Sequence, residues 1–116
     1  MAVIAYASGT QSPAVVGTEH FLSSPNVAGV FQFVVDTVNM QQADILELRV
    51  YQMVLTGGTQ RVVYYELFAG AQVADDLIKV SVPAANDLTD TNALRFSLKQ
   101  TAGTGRNFPW KVLQLA

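Results

Sequence analysis

Apolar and polar residues alternate along the last quarter of the chain. From Leu94 onward, three large apolar residues alternate with an arginine, a serine and a lysine, which is the period of a strand with one buried and one solvated face. The glycine-containing segment 101–107 follows, and a second apolar run holds the only tryptophan, Trp110. We predict that 94–115 forms a β-hairpin that turns at 101–107 and that Trp110 lies in the core.

The strongest pairing pattern lies in the middle of the chain. Residues 44–56 place leucine and valine on one face and charged or aromatic side chains, including Tyr51, on the other. Residues 59–69 form a second strand of similar character. Gly57 and Gly58 separate the two strands, and both can adopt positive φ, so we predict a two-residue hairpin turn.

Three further strands are predicted, at 15–22, 27–35 and 77–82. The strand at 27–35 is apolar on both faces, which is typical of a central strand covered on both sides. Residues 36–43 are either a single helical turn capped by Asp36 or a loop. Residues 83–92 are predicted to be a polar loop.

The first residues are apolar up to Ala7, and the polar residues from Ser8 to Pro13 are predicted to be a loop. The beginning of the chain, 1–13, is interpreted as either an edge strand or an N-terminal arm that packs on a neighbouring chain. Seven to eight short antiparallel strands separated by turns predict an all-β fold. We expect 1–116 to be a single β-sandwich domain of jelly-roll type.

Composition restricts the classes of function. Charged residues make up 14% of the chain, against about 25% in ordinary soluble domains, which indicates that partners cover part of the surface. The absence of cysteine excludes disulfides and thiolate chemistry. The net charge of −2 without a basic run argues against a nucleic-acid partner. We expect no signal peptide, and no apolar run comes near the ~20 residues of a membrane helix, so no membrane partner is expected.

No set of residues has the pattern of a catalytic or cofactor site. His20 is the only histidine, and both a metal site and a catalytic triad need further groups beside it. Asp75 and Asp76 are interpreted as solvated turn charges. The segment Gly103–Arg106 lacks the lysine and the following helix of a phosphate loop. The oxygen-bearing side chains of the 83–92 loop do not have calcium-loop spacing; they are Asn86, Asp87, Asp90 and Asn92. We therefore predict no enzyme, metal or cofactor.

Three stretches carry a resemblance to a known group of proteins. GTEHFLSSPNVAGVFQFVVDT, DILELRVYQMVLTGGTQ and LRFSLKQTAGTGRNFPWKV together resemble small virion proteins of tailed bacteriophages, in particular head cement or decoration proteins. The resemblance implies a protein that is made in the host cytoplasm and bound at the capsid surface of the virion. There it would stabilise the head by binding neighbouring subunits of the major capsid protein, as a homo-oligomer, commonly a trimer. It transfers no active-site residues.

For such a capsid clamp we expect six interface residues. They are the apolar Val3, Ile4 and Tyr6 of the N-terminal segment, Tyr51 of the central hairpin, and Arg106 and Phe108 of the last loop. Arg106 is expected to pair with a carboxylate across the interface. The alternatives are a phage tail or fibre component and a carbohydrate-binding module, and a flat aromatic face with nearby carboxylates would favour the module.

Overall fold

A computed structural model describes residues 2–116 of the chain and shows nine strands and one 3-10 turn, Ala74–Asp76, in that range. The strands are β1 (Ile4–Gln11), β2 (Glu19–Ser23), β3 (Gly29–Asp36), β4 (Ile45–Met53), β5 (Gln60–Ala69), β6 (Ile78–Val80), β7 (Ala84–Asn86), β8 (Leu94–Ala102) and β9 (Phe108–Gln114). Strands account for 54% of residues 2–116 and helix for 3%, which confirms the all-β prediction.

The strands form two antiparallel sheets with jelly-roll connectivity. Sheet A has the order β1-β9-β3-β6, and β7 also pairs with β3; sheet B has the order β2-β8-β4-β5. The short strands β6 and β7 pair with opposite ends of β3, so they are two halves of one interrupted edge strand. With β6 and β7 counted together, strands pair from the chain ends inward, β1 with β9, β2 with β8, β3 with β6–β7 and β4 with β5. This nested order is that of an eight-stranded jelly roll.

The core lies between the two sheets and is built by period-2 alternation. In β3, Phe31, Phe33 and Val35 are at most 1% exposed, whereas the residues between them are half-buried. Leu46, Leu48 and Val50 of β4 and Leu94, Phe96 and Leu98 of β8 face them from sheet B. β3 lies in the interior of sheet A, as predicted, but its outer face is only half-buried rather than covered.

The predicted C-terminal hairpin is wrong, although its strands are right. β8 belongs to sheet B and β9 to sheet A, so residues 103–107 arch from one sheet to the other. The side chain of Gln100 is fully buried and donates to the carbonyl oxygens of Ala102 (3.0 Å) and Thr104 (2.6 Å), while its Oε1 accepts from the Arg106 N–H at 3.0 Å. These bonds tie the loop to the end of β8 and hold it in an arch. Trp110 is half-buried and packs against the edge of the core.

The central hairpin is confirmed, but its turn is longer than predicted. β4 and β5 pair from Ile45 opposite Ala69 to Met53 opposite Gln60, and residues 54–59 form a six-residue loop. The N–H of Gly57 donates to Oδ2 of Asp90 at 2.8 Å, which ties this loop to the 83–92 segment. That segment is not entirely loop, since it contains β7.

The structure decides between the alternatives at two other places. Residues 4–11 are an edge strand paired with β9, so the polar residues from Ser8 to Gln11, predicted as a loop, continue β1. Residues 37–44 form turns and no helix; the Asp36 carboxylate accepts from the Val38 N–H at 3.0 Å. The predicted strand at 15–22 begins only at Glu19. Within 2–116, no helix has the length and apolar character needed to cross a membrane.

Candidate interaction surfaces

The outer face of sheet B carries a connected set of aromatic and charged side chains, which we call the aromatic–charged face. Antiparallel register places residues of four strands in adjacent rows on this face. Its members are Glu19 and Phe21 from β2, Glu47, Arg49 and Tyr51 from β4, Tyr65 from β5, and Arg95, Ser97 and Lys99 from β8.

Glu19 is a hydrogen-bond acceptor for side chains of two other strands, the adjacent β8 and the next strand, β4. Its Oε2 accepts from the Tyr51 hydroxyl at 2.5 Å and from the Ser97 hydroxyl at 2.6 Å. Burial raises the pKa of the Tyr51 phenol, and the hydrogen bond to the Glu19 carboxylate raises it further because ionisation would place two negative charges together. Tyr51 therefore acts as a donor within the face.

A second carboxylate, Glu47, lies in the same row as Glu19, on the other side of Lys99, and has its own partners. It forms an ion pair with Arg49 at 2.8 Å and accepts from the Tyr65 hydroxyl at 3.0 Å. Burial alone would raise the pKa of Glu47, but the bonds from Arg49 and Tyr65 outweigh it and the pKa lies below its ordinary value. The same bond to Glu47 raises the pKa of Tyr65.

Two arginines lie over aromatic rings of this face. The guanidinium carbon of Arg95 lies 3.5 Å from the centre of the Phe21 ring, and that of Arg49 lies 4.9 Å from the centre of the Tyr65 ring. Phe21 and Tyr65 are each 45% exposed. One side of each ring is thus covered by a cation, and the exposed remainder is available to a ligand or a partner.

The outer face of sheet A is of the opposite character. Val34 of β3 lies opposite Val80 of β6 and opposite Lys111 of β9. Around this row lies a shallow depression of about 340 Å³, which we call the apolar groove. It is lined by Ser8, Val34, Asp36, Ile78, Pro109, Trp110 and Lys111. Ile78 is 51% and Val80 is 49% exposed, so the groove and its rim present apolar side chains to solvent.

Arg106 bonds within the chain rather than being left free for a partner. Its Nε donates to Oδ2 of the fully buried Asp44 at 2.7 Å, and Asp44 also accepts from the N–H groups of Gln41 (2.8 Å) and Thr104 (3.2 Å). Burial raises the pKa of Asp44, but the Arg106 bond and the two backbone bonds outweigh it, so the pKa lies below its usual range. The carboxylate partner predicted for Arg106 is intramolecular and joins the 37–44 loop to the 103–107 arch.

The six predicted interface residues do not form one surface. Val3 and Ile4 are 58% and 53% exposed near the start of β1, and Tyr51 lies on the other sheet. Tyr6 packs edge-on against Phe31, with ring centres 5.3 Å apart. Phe108 is 0% exposed, so the structure contradicts its assignment to an interface: it follows the arch and fills the core.

The remaining candidates have local structural roles. The Nε2 of His20 accepts from the N–H of Val15 at 3.0 Å. Asn86 bonds the carbonyl oxygens of Val27 and Leu88 and the Leu88 N–H, so it closes a turn. Asp76 forms an ion pair with Lys79 at 3.1 Å, and Asp75 is exposed on the 3-10 turn.

The sequence pattern predicted Tyr51 as an interaction residue, but it did not predict most of the neighbours of Tyr51 on the aromatic–charged face. The alternation in β4 and β8 does show that Glu47, Arg49 and Arg95 point away from the core. It does not show that β2 pairs with β8, which is what brings Glu19 to Tyr51. Comparisons with protein-family models, with curated proteins and with solved structures found no match to this chain.

Proposed function

We propose that this chain is a structural virion protein that cements or decorates a phage capsid, and that it binds the major capsid protein through the apolar groove of sheet A. The observation that carries the proposal is the apolar outer face of sheet A, where Val34, Ile78 and Val80 stand together in strands that already have a covered inner face. An exposed apolar patch on a small domain marks an interaction surface.

The low charge of the chain supports an assembly role. Only 14% of residues are charged, and many large apolar side chains beyond the groove are exposed, among them Val54, Leu55 and Val73. A stable protein–protein contact buries roughly 1,200–2,000 Å². Several subunits of a capsid lattice would cover such area at more than one place on a domain this small.

Fold and resemblance point in the same direction. Jelly rolls are common in viral capsid proteins, though also in lectins, and a fold by itself does not assign a function. The resemblance to phage head cement proteins selects the first of these, with the capsid surface as location and a trimer as the implied oligomer. The proposed work is burial of surface between neighbouring subunits and involves no reaction.

The test is attachment to capsid shells assembled from the major capsid protein of the same phage genome. The parent should co-sediment with the shells. Val80→Lys places a charge beside the apolar groove and should abolish attachment, because lysine would have to be desolvated there. The matched control is Val15→Lys, since Val15 is 56% exposed and Val80 49%; Val15 precedes β2, outside the groove, and the control should attach like the parent.

Thermal unfolding should show that both variants fold. Failure of the parent to attach would refute the capsid role. Normal attachment of Val80→Lys would refute the assignment of the apolar groove as the surface that binds the capsid.

A second candidate is a carbohydrate-binding module on a tail fibre, favoured by the aromatic–charged face. Phe21, Tyr51 and Tyr65 share one sheet face with the carboxylates of Glu19 and Glu47, and sugars commonly bind such surfaces. Screening the parent against immobilised glycans tests it. Binding that is lost in Tyr65→Ala and retained in Val80→Lys would favour this function over the capsid role.

A further inference from the structure

β5 differs from the other sheet edges in the described part of the chain. β6 and β7 have three residues each, β2 has five with a register shift before Ser23, and β1 is bulged after Ala5. Short strands, register shifts and bulges discourage pairing with other chains. β5 has one irregularity of its own, at Val63, but it has ten residues, contains neither proline nor lysine, and pairs with β4 alone.

The side chains of β5 add to this exposed edge. Val62, Val63, Tyr65 and Leu67 are between 44% and 50% exposed. A long apolar edge strand presents unpaired N–H and C=O groups, which are a template for an added strand. The edge therefore suits a partner that supplies an extended backbone with apolar side chains of its own.

We propose that β5 pairs antiparallel with β5 of a second copy of this chain, so that two copies of sheet B join into one eight-stranded sheet about a two-fold axis. A two-fold contact brings the same strand from each copy together. The second copy then supplies the extended backbone and the apolar side chains that this edge suits.

The charges of β5 favour this occupant and fix its register. Arg61 and Glu66 are its only charged residues. Because the strand has an extra residue at Val63, Arg61 and Glu66 lie on the same face although they are five positions apart. Arg61 lies opposite Gln52 and Glu66 lies opposite Leu48, both on the side that faces sheet A. Antiparallel pairing of Arg61 with Glu66 of the second copy is repeated by symmetry, which gives two opposite-charge pairs.

The same register also matches the apolar side chains. It places Val62 opposite Tyr65 of the second copy, both on the outer face of sheet B, and pairs of a β-branched with an aromatic residue stabilise neighbouring strands. Displacing the register by one residue would set each charged side chain against the other face of the sheet.

This contact is independent of the proposed capsid role. It uses the edge of sheet B, whereas the apolar groove lies on the outer face of sheet A. Because the contact is two-fold, it predicts a dimer in solution rather than the trimer that the resemblance implies. The molar mass of the protein in solution distinguishes the dimer from the trimer.

The experiment is sedimentation equilibrium of the full chain and three variants at micromolar to millimolar concentrations. The parent should approach twice the chain mass. Arg61→Glu and Glu66→Arg each set like charges opposite one another twice, and each should raise the dimer dissociation constant about tenfold or more. The double variant Arg61→Glu with Glu66→Arg restores opposite charges and should recover the parent value.

Lys111→Glu is the control, because Lys111 is an exposed charge on the outer face of sheet A and its reversal should leave the dimer unchanged. Circular dichroism should show the same fold in every variant. A monomeric or trimeric parent, a dimer insensitive to either single reversal, or a double variant that stays dissociated would each overturn the proposal. None of these results bears on capsid attachment, which the Val80→Lys experiment measures.

Discussion

The buried carboxylate of Asp44 gives the most quantitative prediction, through the substitution Asp44→Asn. Oδ2 accepts from the Gln41 N–H and from Arg106 Nε, and Oδ1 accepts from the Thr104 N–H. The asparagine amide has one acceptor oxygen, so it must oppose at least one of these donors with an N–H₂ group. The 37–44 loop and the 103–107 arch would then be less tightly joined.

The expected loss of unfolding free energy is about 3 kcal/mol at pH 7. A charge-assisted hydrogen bond contributes roughly 1.5–3 kcal/mol, and a buried donor left without a partner costs about 1–3 kcal/mol. Some relaxation of the loop reduces the sum. The control is Asp75→Asn, which makes the same chemical change at an exposed residue of the 3-10 turn and should cost less than about 0.5 kcal/mol.

The pH dependence provides an independent check. Because the pKa of Asp44 is lower in the folded state than the unfolded value of about 3.9, its carboxylate stabilises the fold fully at neutral pH. That stabilisation is lost as the pH falls through the folded-state pKa. The difference in unfolding free energy between parent and Asp44→Asn should therefore shrink on acidification below about pH 4.

Urea unfolding of the parent and both variants at a series of pH values measures these differences in unfolding free energy. Equal m-values in the three proteins would show that the midpoints can be compared directly. The reasoning is refuted if Asp44→Asn unfolds at the same urea concentration as Asp75→Asn. It is also refuted if the difference between parent and Asp44→Asn stays constant down to the lowest pH at which the parent folds.

Three other outcomes are expected. Gly103→Ala should destabilise the chain by about 1–3 kcal/mol more than Gly17→Ala in urea unfolding: both glycines have φ near +87°, at +86° and +88°, but only at Gly103 would a Cβ collide with the Asp44 carboxylate. Phe108→Ala should lower the unfolding free energy by about 3–5 kcal/mol, because the ring is 0% exposed; an unchanged unfolding free energy would show that Phe108 is not part of the core. Glu47→Gln should lower the pKa of Tyr65, followed by NMR of labelled tyrosine rings, because the Glu47 carboxylate raises that pKa; an unchanged pKa would show that the hydrogen bond does not form.

The candidate surfaces were only partly predictable. Alternation in β4 identified Tyr51, Glu47 and Arg49 as outward-facing, because the identity of the buried face follows from local sequence. Phe108 was misplaced, because a single apolar residue beside a polar loop looks the same in the sequence whether its side chain contacts a partner or the core. Glu19 was not singled out, because its role depends on Tyr51 and Ser97 of other strands.

The all-β class, the approximate positions of the long strands and the buried face of each follow from the sequence, because side-chain period and turn residues are local properties. The pairing of the strands follows only from tertiary contacts. The strands at 94–102 and 108–114 look like a hairpin, yet they belong to different sheets. Alternation shows which face of a strand is buried but not which strand lies beside it. That choice depends on contacts between residues far apart along the chain, here the bonds between Asp44 and Thr104 and Arg106 of the arch. The sequence pattern does not indicate that these residues meet.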